Sequence, residues 1–169
     1  DGSAVTDGKA LANHKVGTGV GYSIGGNMKI SGGTVTIDSG RVTGGICEAK
    51  NPANGGYEWA PGGNLYMEGG AKVYVKGGAE ISGGSANNGN ASSDGNNIYL
   101  TGKSTMELDA CVIRNTVASV SGTRYSINAD NGTMHIREGA LITNASGVAN
   151  ILNLRTGTNN TTNIYMAGG

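Results

Sequence analysis

The chain has 169 residues, among them 32 glycines, two prolines and no phenylalanine; only 14% are charged, 12 basic against 12 acidic. Zero net charge without any basic cluster excludes a long-range field for recruiting nucleic acid, and the longest apolar runs fall far short of the ~20 residues a membrane-spanning helix needs. Ordinary domains carry about 25% charged residues and about 7% glycine, so this composition belongs either to a disordered chain or to one that turns very often. Short, clean runs of Val, Ile, Leu and Met, which disordered chains lack, decide for turning. The chain starts at Asp1 rather than Met and shows no signal peptide, so it reads as a processed or excised piece.

Taken in chain order, residues 1–24 are weakly patterned and are expected to form a degenerate partial coil. A repeat then occupies 25–169. Asn27-Met28-Lys29-Ile30 is followed by a glycine pair, Thr34-Val35-Thr36-Ile37, a turn, and Arg41-Val42-Thr43. The second copy runs Asn64-Leu65-Tyr66-Met67, Lys72-Val73-Tyr74-Val75 and Glu80-Ile81-Ser82. A third reads Asn97-Ile98-Tyr99-Leu100, Thr105-Met106-Glu107-Leu108 and Val112-Ile113. The fourth begins at Thr133-Met134-His135-Ile136 and the fifth at Asn163-Ile164-Tyr165-Met166. Stretches 46–62 and 84–96 break the pattern and are expected as inserted loops, while 116–130 and 145–162 are expected to add strands to a third face.

Each copy alternates apolar and polar residues, the mark of a half-buried strand. Glycine pairs between the runs supply the positive φ that sharp corners require. Equivalent strands returning once per ~30–37 residues fit one coil per repeat better than an antiparallel meander, because stacked coils bury a continuous inner column. The predicted fold is therefore all-β, a right-handed parallel β-helix of about five rungs. Asn27, Asn64, Asn97 and Asn163 take one place before the first strand, with Thr133 the exception, which suits an amide ladder running from rung to rung. Met28, Ile30, Val35, Ile37, Leu65, Met67, Val73, Val75, Ile81, Ile98, Leu100, Met106, Leu108, Ile113, Met134, Ile136, Ile164 and Met166 form the expected core. Cys47 and Cys111 fall two rungs apart, about 9.6 Å at the strand spacing, beyond the ~6.8 Å that a disulfide tolerates between Cα atoms; two buried free thiols are expected.

The motifs Gly62-Gly63-Asn64-Leu65-Tyr66-Met67, Gly69-Gly70-Ala71-Lys72-Val73-Tyr74-Val75 and Ile81-Ser82-Gly83-Gly84 resemble repeats of pectin-lyase-like right-handed β-helix surface proteins of bacteria. The resemblance covers roughly 25–169 and implies an extracellular or cell-surface solenoid. The Gly-Gly-Ala triplets at 69–71 and 77–79 are also similar to those of polymorphic outer-membrane autotransporters, but the Phe-x-x-Asn companion motif of that family has no counterpart in a chain without phenylalanine. Catalytic members of the pectin-lyase-like group carry Asn-Thr-Asp, Asp-Asp, Gly-His-Gly and Arg-Ile-Lys motifs, or a calcium-binding acidic cluster with an arginine base. None of those motifs is present, and the acids are dispersed; Glu80, Glu107 and Asp109 are the nearest approach to a calcium cluster and read better as solvated charge. His14 and His135 lack the partners that a nucleophile or a general base requires.

One pattern rises above this background. The outward position of the first strand holds Lys29, Tyr66, Tyr99, His135 and Tyr165, which in register form a column, and Tyr57 and Trp59 precede the second rung. Exposed aromatics in a row suit stacking on sugar rings or anchoring a protein; a cross-rung ladder that only stabilises the sheet uses the same residues. Tyr57, Trp59, Tyr66, Tyr99, His135 and Tyr165 are therefore the candidate ligand-binding set. The expected function is a non-enzymatic structural or adhesive segment of a secreted, surface-displayed or filament-forming protein, binding a glycan or host protein, with its uncapped ends covered either by head-to-tail stacking of copies or by adjacent rungs of a longer chain. No cofactor, metal, nucleic acid or membrane span is expected. A polysaccharide lyase or hydrolase fragment acting on acidic polysaccharide is the rival, and an ice-binding solenoid, prompted by Thr34-Val35-Thr36, is a weaker third reading because the threonine pair does not recur.

Overall fold

A computed structural model describes residues 3–13, 21–50, 58–87, 95–115, 125–144, 151–155 and 161–167. Alternation and glycine corners produce twenty short strands there and no helix. The first pass of the chain forms β1 (Ala4–Thr6), β2 (Lys9–Asn13), β3 (Gly21–Tyr22), β4 (Met28–Ser31) and β5 (Thr34–Asp38). The second forms β6 (Arg41–Thr43), β7 (Ile46–Lys50), β8 (Glu58–Trp59), β9 (Leu65–Glu68) and β10 (Lys72–Lys76). The third supplies β11 (Glu80–Ser82), β12 (Ser85–Asn87), β13 (Ile98–Leu100) and β14 (Ser104–Leu108). The fourth gives β15 (Val112–Asn115), β16 (Ile127–Asp130) and β17 (Gly132–Ile136), and the fifth β18 (Leu141–Asn144), β19 (Leu152–Arg155) and β20 (Asn163–Met166).

Every pass visits the three large sheets in the same order, and every pairing among the described strands is parallel. The first sheet is β4-β9-β13-β16-β19, the second β5-β10-β14-β17-β20 and the third β1-β6-β11-β15-β18. A smaller sheet, β2-β7-β12, and the pair β3-β8 lie on the connection from the third sheet back to the first, here called the arm. An all-β chain of stacked parallel sheets with recurrent strand order is compatible with a parallel β-helix. Residues 1–24 accordingly contribute β1, β2 and β3 to the same sheets as later passes, and the stretches expected as loops contain β7, β8 and β12.

Corners follow from backbone chemistry. Gly69 and Gly70, at φ 65° and 72°, turn the chain from β9 into β10, a conformation costly for residues with a Cβ. Gly63 answers a different need: a Cβ there would collide with the Asn96 carbonyl oxygen and the Ser85 amide nitrogen, so only glycine lets the arm meet the sheet.

The inner columns are continuous. Leu65, Ile98 and Ile127 stack in the first sheet, Val73, Met106 and Met134 in the second, and Val42, Ile81 and Ile113 in the third, all buried. Burial of this kind stabilises by about 25 cal/mol per Å² of apolar surface. Cys47, Ala49 and Ala60 form a second small core under the arm. Neither cysteine is in a disulfide and both are buried, Cys111 in the main core, where burial pushes its thiol up to about 11.

The register corrects the sequence reading in its second half. Met134-His135-Ile136 and Ile164-Tyr165-Met166, expected on the first sheet, belong to the second, the former paired with Met106-Glu107-Leu108 and the latter with Met134-His135-Ile136. Their expected places in the first sheet go to Ile127-Asn128-Ala129 and Leu152-Asn153-Leu154. Asn163 pairs with Thr133 in the second sheet and is not part of the asparagine column. Met166, expected in the core, is 76% exposed because it lies on an edge strand.

The reason is a coil that changes length. The hydrogen-bonded equivalents Asn27/Asn64, Asn64/Asn97, Asn97/Ser126 and Asn128/Asn153 are 37, 33, 29 and 25 residues apart. Most of the shortening falls in the arm, between the third sheet and the first. A search for a fixed period therefore slips by a whole strand once the arm has contracted.

Candidate functional site

The asparagine column joins the arm to the first sheet. Asn64 accepts from the Gly45 amide at 2.8 Å and from Asn27 Nδ2 at 2.8 Å. Its own Nδ2 donates to the Ser82 carbonyl and to Asn97 Oδ1, both at 2.8 Å. Asn97 repeats the arrangement with the Gly84 amide at 2.9 Å, the Arg114 carbonyl at 3.0 Å and Ser126 Oγ at 2.9 Å. Asn64 and Asn97 are fully buried and use both ends of the amide. A glycine-rich corner leaves backbone groups that sheet pairing does not reach, and a buried asparagine carries both a donor and an acceptor to satisfy them.

Of the six candidate binding residues, Tyr57 lies outside the described residues. Lys29, Tyr66 and Tyr99 do form one column on the first sheet, continued by Asn128 and Asn153. Its lysine is exposed, but its two tyrosines do not face solvent. Tyr66 and Tyr99 are each 3% exposed and stack with centroids 5.6 Å apart and planes 3° from parallel. Trp59, carried over them by β8, meets Tyr66 edge-on at 5.9 Å and Tyr99 at 5.4 Å. Edge-to-face contacts of this kind add about 0.5–1.5 kcal/mol beyond area burial. The tips are anchored as well: Tyr66 Oη donates to Glu68 Oε2 at 3.1 Å and Tyr99 Oη to Asp130 Oδ2 at 3.1 Å.

Glu68 binds Lys29 Nζ at 2.9 Å and accepts from Ser31 Oγ at 2.8 Å; these contacts, the lysine's first, hold its carboxyl below the usual range. Burial, reinforced by the Glu68 charge and the hydrogen bond to it, raises the Tyr66 phenol well above its ordinary 10.0. The Tyr66 and Tyr99 hydroxyls and the Glu68 carboxylate are already engaged with neighbours. The geometry is that of a sealed aromatic seam between sheet and arm.

His135 and Tyr165 are on the second sheet instead, in the column Thr36, Tyr74, Glu107, His135, Tyr165. His135 and Tyr165 stack with centroids 5.0 Å apart. Tyr74 and Tyr165 are exposed, and so are Thr34, Thr36, Lys72, Lys76 and Arg137 around them. Lys76 pairs with Asp38 at 3.4 Å and Arg137 with Glu107 at 3.3 Å, so the face is polar and nearly neutral. Sequence reasoning missed Tyr74, although its alternation with Val73 and Val75 marks it as outward.

Glu80 and Glu107, weighed together for calcium, sit on different sheets, and Glu80 lies 3.9 Å from Arg41. Among the described residues no three His, Cys, Asp or Glu side chains are grouped as metal ligands, and no helix is long and apolar enough to cross a membrane. Comparison with known proteins adds no family: no family model matches the chain, and neither a curated protein nor a solved structure does.

Proposed function

We propose that this chain is a segment of a right-handed parallel β-helix with a structural and adhesive role in a secreted or cell-surface protein, without enzymatic activity. Right-handedness follows the general rule for parallel crossovers, which take that hand in about 98% of cases. The observation that carries the functional reading is the outer face of the second sheet, where five parallel strands in register display Tyr74, His135 and Tyr165 with no described segment over them. Flat, nearly neutral faces with aromatic and hydroxyl groups suit an uncharged glycan, for which rings supply stacking and Thr or Asn side chains supply hydrogen bonds.

Titration calorimetry against a panel of neutral and acidic oligosaccharides tests this. Tyr74→Ser combined with Tyr165→Ser should abolish binding while the thermal midpoint stays within a few degrees. A panel on which wild type and double variant both fail to bind ends the glycan reading. Calcium-dependent cleavage of an acidic polysaccharide by the wild-type chain would establish the rival lyase or hydrolase.

A further inference from the structure

The first and second sheets differ in how their outward carboxylates are used. On the first sheet both oxygens of Glu68 are engaged: Oε1 meets Lys29 Nζ and Ser31 Oγ, and Oε2 accepts from Tyr66. On the second sheet Glu107 Oε2 accepts from Arg137 Nη2 at 3.3 Å, and no described residue donates to its Oε1. The Glu107 side chain is 28% exposed, against 54% for Asp38 on the same face. It has lost water without gaining a second partner, and a partly desolvated carboxylate is a strong acceptor for any hydroxyl brought to it.

The surroundings narrow what can bring that hydroxyl. Parallel register sets Glu107 between Tyr74 on one side and His135 on the other, rings two strand spacings apart, or ~9.6 Å. Thr105 precedes Glu107 by two residues on the same face, ~6.6 Å along the strand, and is paired with Thr133. No described residue hydrogen-bonds the side chains of Tyr74, His135, Thr105 or Thr133. A cationic ligand finds its place at Glu107 taken by Arg137, and an anionic one meets the carboxylate itself.

We infer that Glu107 is the specificity-determining residue of this face, accepting two adjacent hydroxyls of a neutral sugar that lodges between Tyr74 and His135. This deepens the glycan reading above and rests on it. A carboxylate offers about four acceptor positions, and Arg137 fills one, so two hydroxyls fit without displacing the arginine. The far edge of the same sugar reaches the Thr105 and Thr133 hydroxyls, and its C–H faces meet the flanking rings. Uronate chains are rejected, because their carboxylates would stand beside Glu107. The column continues from His135 to Tyr165, three strand spacings or ~14 Å from Tyr74. One sugar does not span that length, so further sugars of a linear chain follow the column across the strands.

Titration calorimetry of the 169-residue chain with neutral gluco-, galacto- and manno-configured tetrasaccharides, and with tetragalacturonate, reads the inference. Wild type should bind a neutral tetrasaccharide more tightly than its monosaccharide and more tightly than tetragalacturonate. Glu107→Gln should lose about tenfold or more in affinity for the neutral chain, the effect of removing a charged acceptor, with its thermal midpoint within a few degrees of wild type. Arg137→Gln breaks the same ion pair but leaves the carboxylate in place, and should stay within about threefold of wild type. Equal losses in the two variants, or no loss in Glu107→Gln, overturn the role of Glu107 while glycan binding stands. Preference for tetragalacturonate overturns it as well. Wild type that binds no member of the panel removes the glycan reading and this inference together.

Discussion

The outer faces of the first and second sheets are built from the same repeat and end up as opposites. Both present an outward column with two tyrosines, and in both the inner neighbours are Val, Ile, Leu or Met. On the first sheet the arm lays Trp59 across Tyr66 and Tyr99, and the tyrosines become a sealed seam. On the second sheet no described segment covers the column, and Tyr74 and Tyr165 stay in solvent. An aromatic at an outward strand position therefore takes its role from what crosses above the sheet, which strand alternation does not encode. Accessibility separates a buried ladder from an open face here, and it falls where the arm does.

The largest expected effect probes what the two regions share. Leu100→Asp buries an unpaired carboxylate in the core common to both sheets, where Leu100 is fully enclosed. The cost is at least about 4 kcal/mol, enough that circular dichroism at room temperature should show an unfolded chain.

The contrast itself is tested next by Tyr99→Ser and Tyr74→Ser. Removing a buried ring should cost about 3 kcal/mol, in line with large-to-small aromatic substitutions in cores. Removing the exposed one should stay within about 0.5 kcal/mol. Urea unfolding that gives equal losses for both would erase the distinction between seam and face.

Asn64→Ala examines the attachment of the arm. The substitution orphans the Gly45 amide and the Ser82 carbonyl at a cost of about 2 kcal/mol or more. Amide exchange should speed up first around β7 and β12, whereas β10 and β14 on the second sheet keep their protection.

The smallest effect is a pH dependence confined to the seam. Tyr66 has a folded-state pKa above its ordinary 10.0, so folding favours the protonated phenol. The stabilisation is fully present below pH 10 and is lost as the pH climbs above it, where the unfolded chain ionises first. In Tyr66→Phe the alkaline loss of stability should be shallower than in wild type, by about 1 kcal/mol in unfolding free energy. Identical alkaline limbs would place Tyr66 outside the seam.

How much was legible in the residues varied along the chain. Through Ile113 the alternating strands, the glycine corners and the Asn27, Asn64 and Asn97 column could be read directly, because each is a local pattern. Beyond that point the reading slipped by one sheet. Met134-His135-Ile136 has the same apolar-outward-apolar form as Met28-Lys29-Ile30, and alternation carries no label for which sheet a strand joins. Ser126 in place of asparagine and Ala129 in place of a larger residue hid the true first-sheet strand.

The sequence by itself determined that the chain is all-β, turns at glycine and repeats an inward apolar column, because φ preference and side-chain alternation act over a few residues. Tertiary structure decided the register of the later passes and the fate of each outward tyrosine. Both depend on the length and path of the arm, whose contraction shortens the spacing of hydrogen-bonded equivalents by four residues from one pass to the next. Whether an outward ring meets water or Trp59 is settled by contact between segments tens of residues apart, and short-range preference does not specify such contacts.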